Sequence, residues 1–141
     1  MWILHVEDNP GDARLLREAF QERGIQAQIE GAEDGEIALK LLRERTPQLI
    51  VLDLNLPKMN GEEVLAELKS DPNLRRIPVI VLSSSRDQRD ILASYDNHAN
   101  CYITKPSSFE EFVDIARGIE DFWLRVVALP DRPQRFAQGF A

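Results

Sequence analysis

The chain reads as an α/β domain: a doubly wound, five-stranded parallel sheet in the order 2-1-3-4-5, covered on both faces by five helices. Three observations lead there. Short apolar runs alternate with amphipathic stretches along the 141 residues, the pattern of strand–helix units whose strands lie parallel. The two central runs, Leu49-Ile50-Val51-Leu52 and Val79-Ile80-Val81-Leu82, are apolar without alternation, as strands buried on both faces must be. Charged residues stand where three of the runs stop, at Glu7-Asp8, Asp53 and Lys105-Pro106, which suits a crevice at the carboxyl ends of an open sheet.

Each element has its own signal. Trp2 to Val6 is the first strand, and the turn-forming Asp8-Asn9-Pro10-Gly11 ends it. Leu15, Leu16, Ala19 and Phe20 repeat at helical spacing, with Asp12 read as the cap and Gly24 as the stop. Gln26 to Glu30 is a weak, polar second strand. Gly35 to Arg45 is helical through Ile37, Ala38, Leu41 and Leu42, and Leu49 to Asp53 is the third strand. After Gly61 the stripe Val64, Leu65 and Leu68 marks a third helix, closed by Asp71-Pro72. Pro78 opens the fourth strand. Arg86 to Asn97 forms a fourth helix, the most polar of the set, with Ile91, Leu92 and Tyr95 on one face. Cys101 to Thr104 is the fifth strand, and Phe109 to about Val127 is a long final helix. There is no internal repeat and no low-complexity segment.

This length suits one domain, residues 1–127, followed by a tail over 128–141 with no effector domain. The net charge is -7, with 17 Lys and Arg scattered among 24 acids, so no basic patch is expected to neutralise nucleic-acid phosphates. Cys101 is the only cysteine, which rules out an internal disulfide. No run approaches the roughly 20 apolar residues of a membrane span, and the first residues lack a secretory signal pattern. A soluble cytoplasmic protein is the expectation.

Right-handed crossovers around a sheet that reverses direction beside its first strand bring the ends of strands one, three and five together. Glu7, Asp8, Asp53 and Lys105 then become neighbours. Two like charges about 4 Å apart repel by roughly 4 kcal/mol at an effective dielectric near 20, so three bare carboxylates strain the fold or raise a pKa. A divalent cation relieves this. Mg²⁺ suits the site because it takes one or two carboxylates, keeps waters and bridges to phosphoryl oxygens. A carboxylate is also a nucleophile that forms an aspartyl phosphate when a donor is held in line. Asp53 takes that role, with Asp8 and Glu7 on the metal, directly or through water, and the backbone carbonyl of Asn55 as a further ligand. Lys105 and the hydroxyl of Ser83 contact phosphoryl oxygens.

The set Val6-Glu7-Asp8, Leu52-Asp53-Leu54-Asn55-Leu56-Pro57-Lys58-Met59-Asn60-Gly61, Leu82-Ser83-Ser84 and Tyr102-Ile103-Thr104-Lys105-Pro106 resembles the receiver domain of two-component response regulators. The resemblance runs from Trp2 to about Trp123. It implies the flavodoxin-like receiver fold, phosphoryl transfer from a histidine kinase to Asp53, Mg²⁺ dependence and slow self-hydrolysis. A phosphoacceptor of this kind is not an enzyme toward other substrates. It further implies a switch pair, Ser83 and Tyr102, in which the hydroxyl moves toward the phosphoryl group and the ring turns inward. It also implies a cis bond at Lys105-Pro106, an alternative to the ordinary trans form. Serine at Ser83 replaces the more usual threonine, and Leu56 a frequent methionine. A narrower likeness, carried by Ser94-Tyr95-Asp96, His98 to Thr104 and Gly118-Ile119-Glu120-Asp121-Phe122-Trp123, is to single-domain regulators that partner phytochrome-type histidine kinases.

Simpler readings stand beside these. Glu7-Asp8 alone would serve as a helix cap, and Tyr102 as a half-buried strand aromatic. His5 and His98 have no second ligand at metal-binding spacing. The last helix should overhang the sheet, since about 19 helical residues run near 28 Å against about 17 Å for a five-residue strand. The overhang carries Phe122, Trp123, Val126 and Val127, an apolar patch that predicts a homodimer through the fourth helix, fifth strand and fifth helix. The alternative is a tail folded back over the patch. Two rival functions use related parts. A phosphohydrolase of the haloacid-dehalogenase type needs a second aspartate two residues after the first as general acid, where this chain has Asn55. A flavodoxin-like carrier needs a neutral phosphate loop after the first strand, where this chain has Glu7-Asp8.

Overall fold

The structure, a computed structural model, describes residues 1–130 of the chain. Its strands are β1 (Trp2–Val6), β2 (Gln28–Ala32), β3 (Leu49–Leu52), β4 (Val79–Ser83) and β5 (Cys101–Thr104). Its α-helices are α1 (Pro10–Glu22), α2 (Gly35–Glu44), α3 (Gly61–Ser70), α4 (Gln88–Asp96) and α5 (Phe109–Gly118). The strands pair in parallel in the expected order, β2-β1-β3-β4-β5.

Successive strand residues serve opposite faces. Leu4, Val6, Ile50 and Leu52 enter the core covered by α2 and α3, whereas Ile3, Leu49, Val51 and Leu82 enter the one covered by α1 and α5. Each α-helix starts on a side-chain cap, at Asn9, Asp34, Asn60, Asp87 and Ser108, so first-turn N–H groups are satisfied where the chain leaves the carboxyl edge. Among the described residues, no helix is long and apolar enough to cross a membrane.

Four expectations change. Asp12 does not cap α1; Asn9 does, accepting from the N–H groups of Gly11 and Asp12. Pro10, with no N–H to satisfy and φ preset for a helix, takes the first helical position. β2 begins two residues late because its register against β1 runs from Trp2 opposite Gln28 to Val6 opposite Ala32.

On α4 only Ser94 is buried, while Leu92 and Tyr95 are 53% and 47% exposed. The predicted apolar face therefore looks largely outward, and small Ser94, its hydroxyl donating to the Asp90 carbonyl at 2.9 Å, faces the fold instead. The last helix is not uniformly α. After Gly118 it widens into a π-helical turn, Ile119–Leu124, which keeps Ile119 buried and lets Trp123 and Leu124 pack on the second core. Phe122 and Val126 point out, and Val127 is half-buried. The tail beyond Pro130, with Phe136 and Phe140, lies outside the described residues.

Candidate functional site

Sheet register aligns the polar ends of the strands. Val6 pairs with Leu52, and the N–H of Asp53 donates to the Val6 carbonyl at 3.0 Å, which sets Glu7 and Asp53 side by side on the rim. Ser83 pairs with Thr104, and the N–H of Lys105 donates to the Ser83 carbonyl at 2.7 Å. The ends of β3 and β5 are not adjacent, since β4 runs between them. The four-carbon stem of Lys105 closes the gap. Its Nζ lies 3.1 Å from Asp53 Oδ2, 2.7 Å from Glu7 Oε1 and 2.9 Å from Asp12 Oδ2. No peptide bond among the described residues is cis, so Lys105 reaches the crevice with a trans bond to Pro106.

Glu7 and Asp53 are buried and Asp8 is exposed, and oxygens of the three lie within 4.8 Å of one another. Burial, the largest cause, pushes the Glu7 carboxyl up to about 7; the charge of Asp53 adds to the rise, while Lys105 and the N–H of Asn9 oppose it. Burial disfavours the charged form of Lys105, yet the carboxylates around it outweigh that and hold its pKa above the ordinary lysine value. Glu7 Oε1 is close to the ammonium but no hydrogen bond is aimed at it. Two buried carboxylates and an exposed one, with oxygens within 4.8 Å of one another, form a donor set that fits a hard divalent cation.

The neighbouring groups continue along the rim. Ser83 is fully buried, and its Oγ accepts the N–H of Ser85 at 3.2 Å, leaving its own proton free to donate. Asn55 is exposed, and its N–H donates to Asp53 Oδ1 at 3.3 Å. Tyr102 is half-buried against the first core, its hydroxyl donating to the Ser85 carbonyl at 2.8 Å. Its backbone N–H, on the outer side of β5, donates to the hydroxyl of Tyr95 at 3.2 Å. Of the residues expected at the far interface, Phe122 and Val126 are exposed, whereas Trp123 and Val127 are half-buried.

Three contributors take parts that the sequence pattern did not assign to them. Asp12 is the third carboxylate on Lys105; Pro10 was the signal that a residue two positions later is inside the helix and free to turn toward the sheet. Ser85 links the loop after β4 to α4 through a 2.5 Å hydrogen bond to Asp90, a contact with no periodic signature. Gly61 is the third: its N–H donates to the Leu54 carbonyl at 2.9 Å, and a Cβ there would collide with the Asp53 carbonyl oxygen. The first helix turn of α3 thus presses directly on the backbone that carries Asp53.

Residues 3–117 match the family model described as the response regulator receiver domain. The chain is 44% identical over 135 residues to the response regulator Rcp1 of Synechocystis sp., a match that covers 91% of this chain and 92% of Rcp1. The crystal structure of the Mn²⁺-bound form of Rcp1 superposes with a TM-score of 0.84 at 43% identity, covering 92% of this chain and 99% of that one. The phosphorylated cyanobacterial phytochrome response regulator RcpA gives a TM-score of 0.87 at 47% identity, covering 92% and 98%.

Proposed function

The chain belongs to the response regulator receiver domain family, and from that premise we propose that it is a phosphoacceptor charged on Asp53 by a histidine kinase. The observation that carries this reading is the buried Asp53 carboxylate, 3.1 Å from the Lys105 ammonium and clustered with Glu7 and Asp8. In the transfer, an Asp53 carboxylate oxygen bonds to phosphorus as the phosphorus–nitrogen bond of the kinase phosphohistidine breaks. The imidazole keeps that electron pair and ends with a proton on the nitrogen. Hydrolysis later replaces the Asp53 oxygen with water and restores the carboxylate.

The remaining residues prepare for the charge that arrives. Lys105 donates to one phosphoryl oxygen, and the Ser83 hydroxyl, whose proton is uncommitted, donates to another. Glu7, Asp8, Asp53 and the backbone carbonyl of Asn55 would hold a divalent cation, which we take to be Mg²⁺. When bound, it neutralises the equatorial phosphoryl oxygens. Engagement of Ser83 draws on the N–H of Ser85, whose carbonyl holds Tyr102, so these two residues form the switch that reports the phosphoryl group to α4 and β5.

The likeness to Rcp1 and to the phytochrome regulator RcpA supports a phytochrome-type kinase as partner. Exposed Phe122 and Val126, with Leu92 and Tyr95 of α4, support output by protein contact, first with a second copy of the chain. The rival chemistries lack their parts. Asn55 is no general acid for a phosphohydrolase, and Glu7 with Asp8 repels a flavin phosphate at the mouth of α1.

Incubation with Mg²⁺ and acetyl phosphate tests the assignment by intact mass. One phosphoryl adduct is expected on the wild type and none on Asp53→Asn. No adduct on the wild type, or equal labelling of both, overturns it.

A further inference from the structure

We propose that Asp12 is a positioning residue that acts through Lys105, as a standing competitor for the ammonium that a phosphoryl group must recruit; this rests on the phosphoacceptor reading of Asp53. An ammonium has three protons. Here three carboxylates surround it, at 2.7 Å (Glu7), 2.9 Å (Asp12) and 3.1 Å (Asp53). They are not equivalent. The side chains of Glu7 and Asp53 are 1% and 3% exposed, that of Asp12 28%, so Asp12 is the partner that water can most readily solvate. Its carboxylate has no other task among the described residues. Asn9 caps the helix, and the contact of Asp12 with Lys105 is the one side-chain hydrogen bond and ion pair it makes.

Charge then sets the direction of its effect. A carboxylate on the ammonium weakens the pull of Lys105 on an anion at Asp53, and it adds to the negative field that draws in a cation. Removing that charge moves the two in opposite senses. The cation is held less tightly, while the phosphoryl group is accepted faster at saturating cation. A purely structural part in α1 or in its packing on α5 would leave both unchanged or impair both.

Two measurements on Asp12→Asn, which keeps shape and an acceptor oxygen, decide the matter. Calorimetric titration with Mg²⁺ and no phosphoryl donor is expected to give a Kd raised by about threefold, the scale of one partly exposed charge. The rate of adduct formation from acetyl phosphate at saturating Mg²⁺, followed by intact mass, is expected to rise by about threefold. Asp12→Glu should return both toward wild type. Normal labelling of the wild type with neither quantity moved in Asp12→Asn, or with both impaired, overturns this proposal alone. A wild type that takes no phosphoryl group, or labelling that survives Asp53→Asn, overturns the phosphoacceptor reading and this proposal with it.

Discussion

His5 on β1 and Glu7 just past its end respond to pH in opposite senses. Burial lifts Glu7 from 4.5 to about 7, so between those values the folded protein keeps a proton that the unfolded chain has released, and stability falls as pH rises. His5, brought down to about 3 by burial and then by the charges of Lys105 and Arg17, stays neutral where the unfolded chain is protonated. Its contribution is present above 6.5 and is lost as pH falls toward 3. Comparison of Glu7→Gln with wild type cancels the histidine, which is common to both. Without divalent cation, the stability of the variant relative to wild type should grow by about 3 kcal/mol at most between pH 4.5 and 8, measured by urea unfolding. A difference that stays flat would show that Glu7 is ionised throughout. The acids and Lys105 were legible because each follows an apolar run whose end a parallel sheet must bring to one edge. Asp12 was not, since its part depends on where α1 starts, and one turn residue decides that.

Among the elements, α3 is the one whose first turn lies hard against the backbone of Asp53 and Leu54. The absence of a side chain at Gly61 lets its N–H reach the Leu54 carbonyl at 2.9 Å, and an added methyl meets backbone, which cannot rotate away. Gly61→Ala should cost about 1–3 kcal/mol of stability by overpacking against main chain and should slow labelling at Asp53, because the strand end shifts with the helix. Urea unfolding and intact mass check the two; an unchanged labelling rate in a destabilised variant would detach α3 from the geometry of Asp53. The strands were readable because those buried on both faces are continuously apolar. The orientation of α4 was not. Its three apolar residues predict a buried stripe, but a helix held mainly through its loop and Ser94 is free to present Leu92 and Tyr95 to solvent. Nor does any period announce that α5 becomes a π turn at Ile119; that change answers to the packing of Trp123 and Leu124 on the second core.

For the whole molecule, the exposed pair Phe122 and Val126 lies on the outer side of the terminal turn, with the Phe122 ring edge-on to the half-buried Trp123 at 5.5 Å between centroids. If the chain dimerises there, Val126→Asp should shift light scattering at tens of micromolar from dimer to monomer with unfolding unchanged. Trp123→Ala is the poorer test, because it also opens the core. A wild type already monomeric would remove the dimer. The face that would meet a partner also includes β5, the last strand of the sheet. A bare outer strand offers its main chain as a template on which any extended segment can grow, the usual route to aggregation. The Tyr95 hydroxyl sits on the Tyr102 N–H at 3.2 Å and takes away one rung of that template. A visitor to this side therefore meets a phenol before it meets backbone, and is selected for its side chains rather than for a willingness to become a sixth strand.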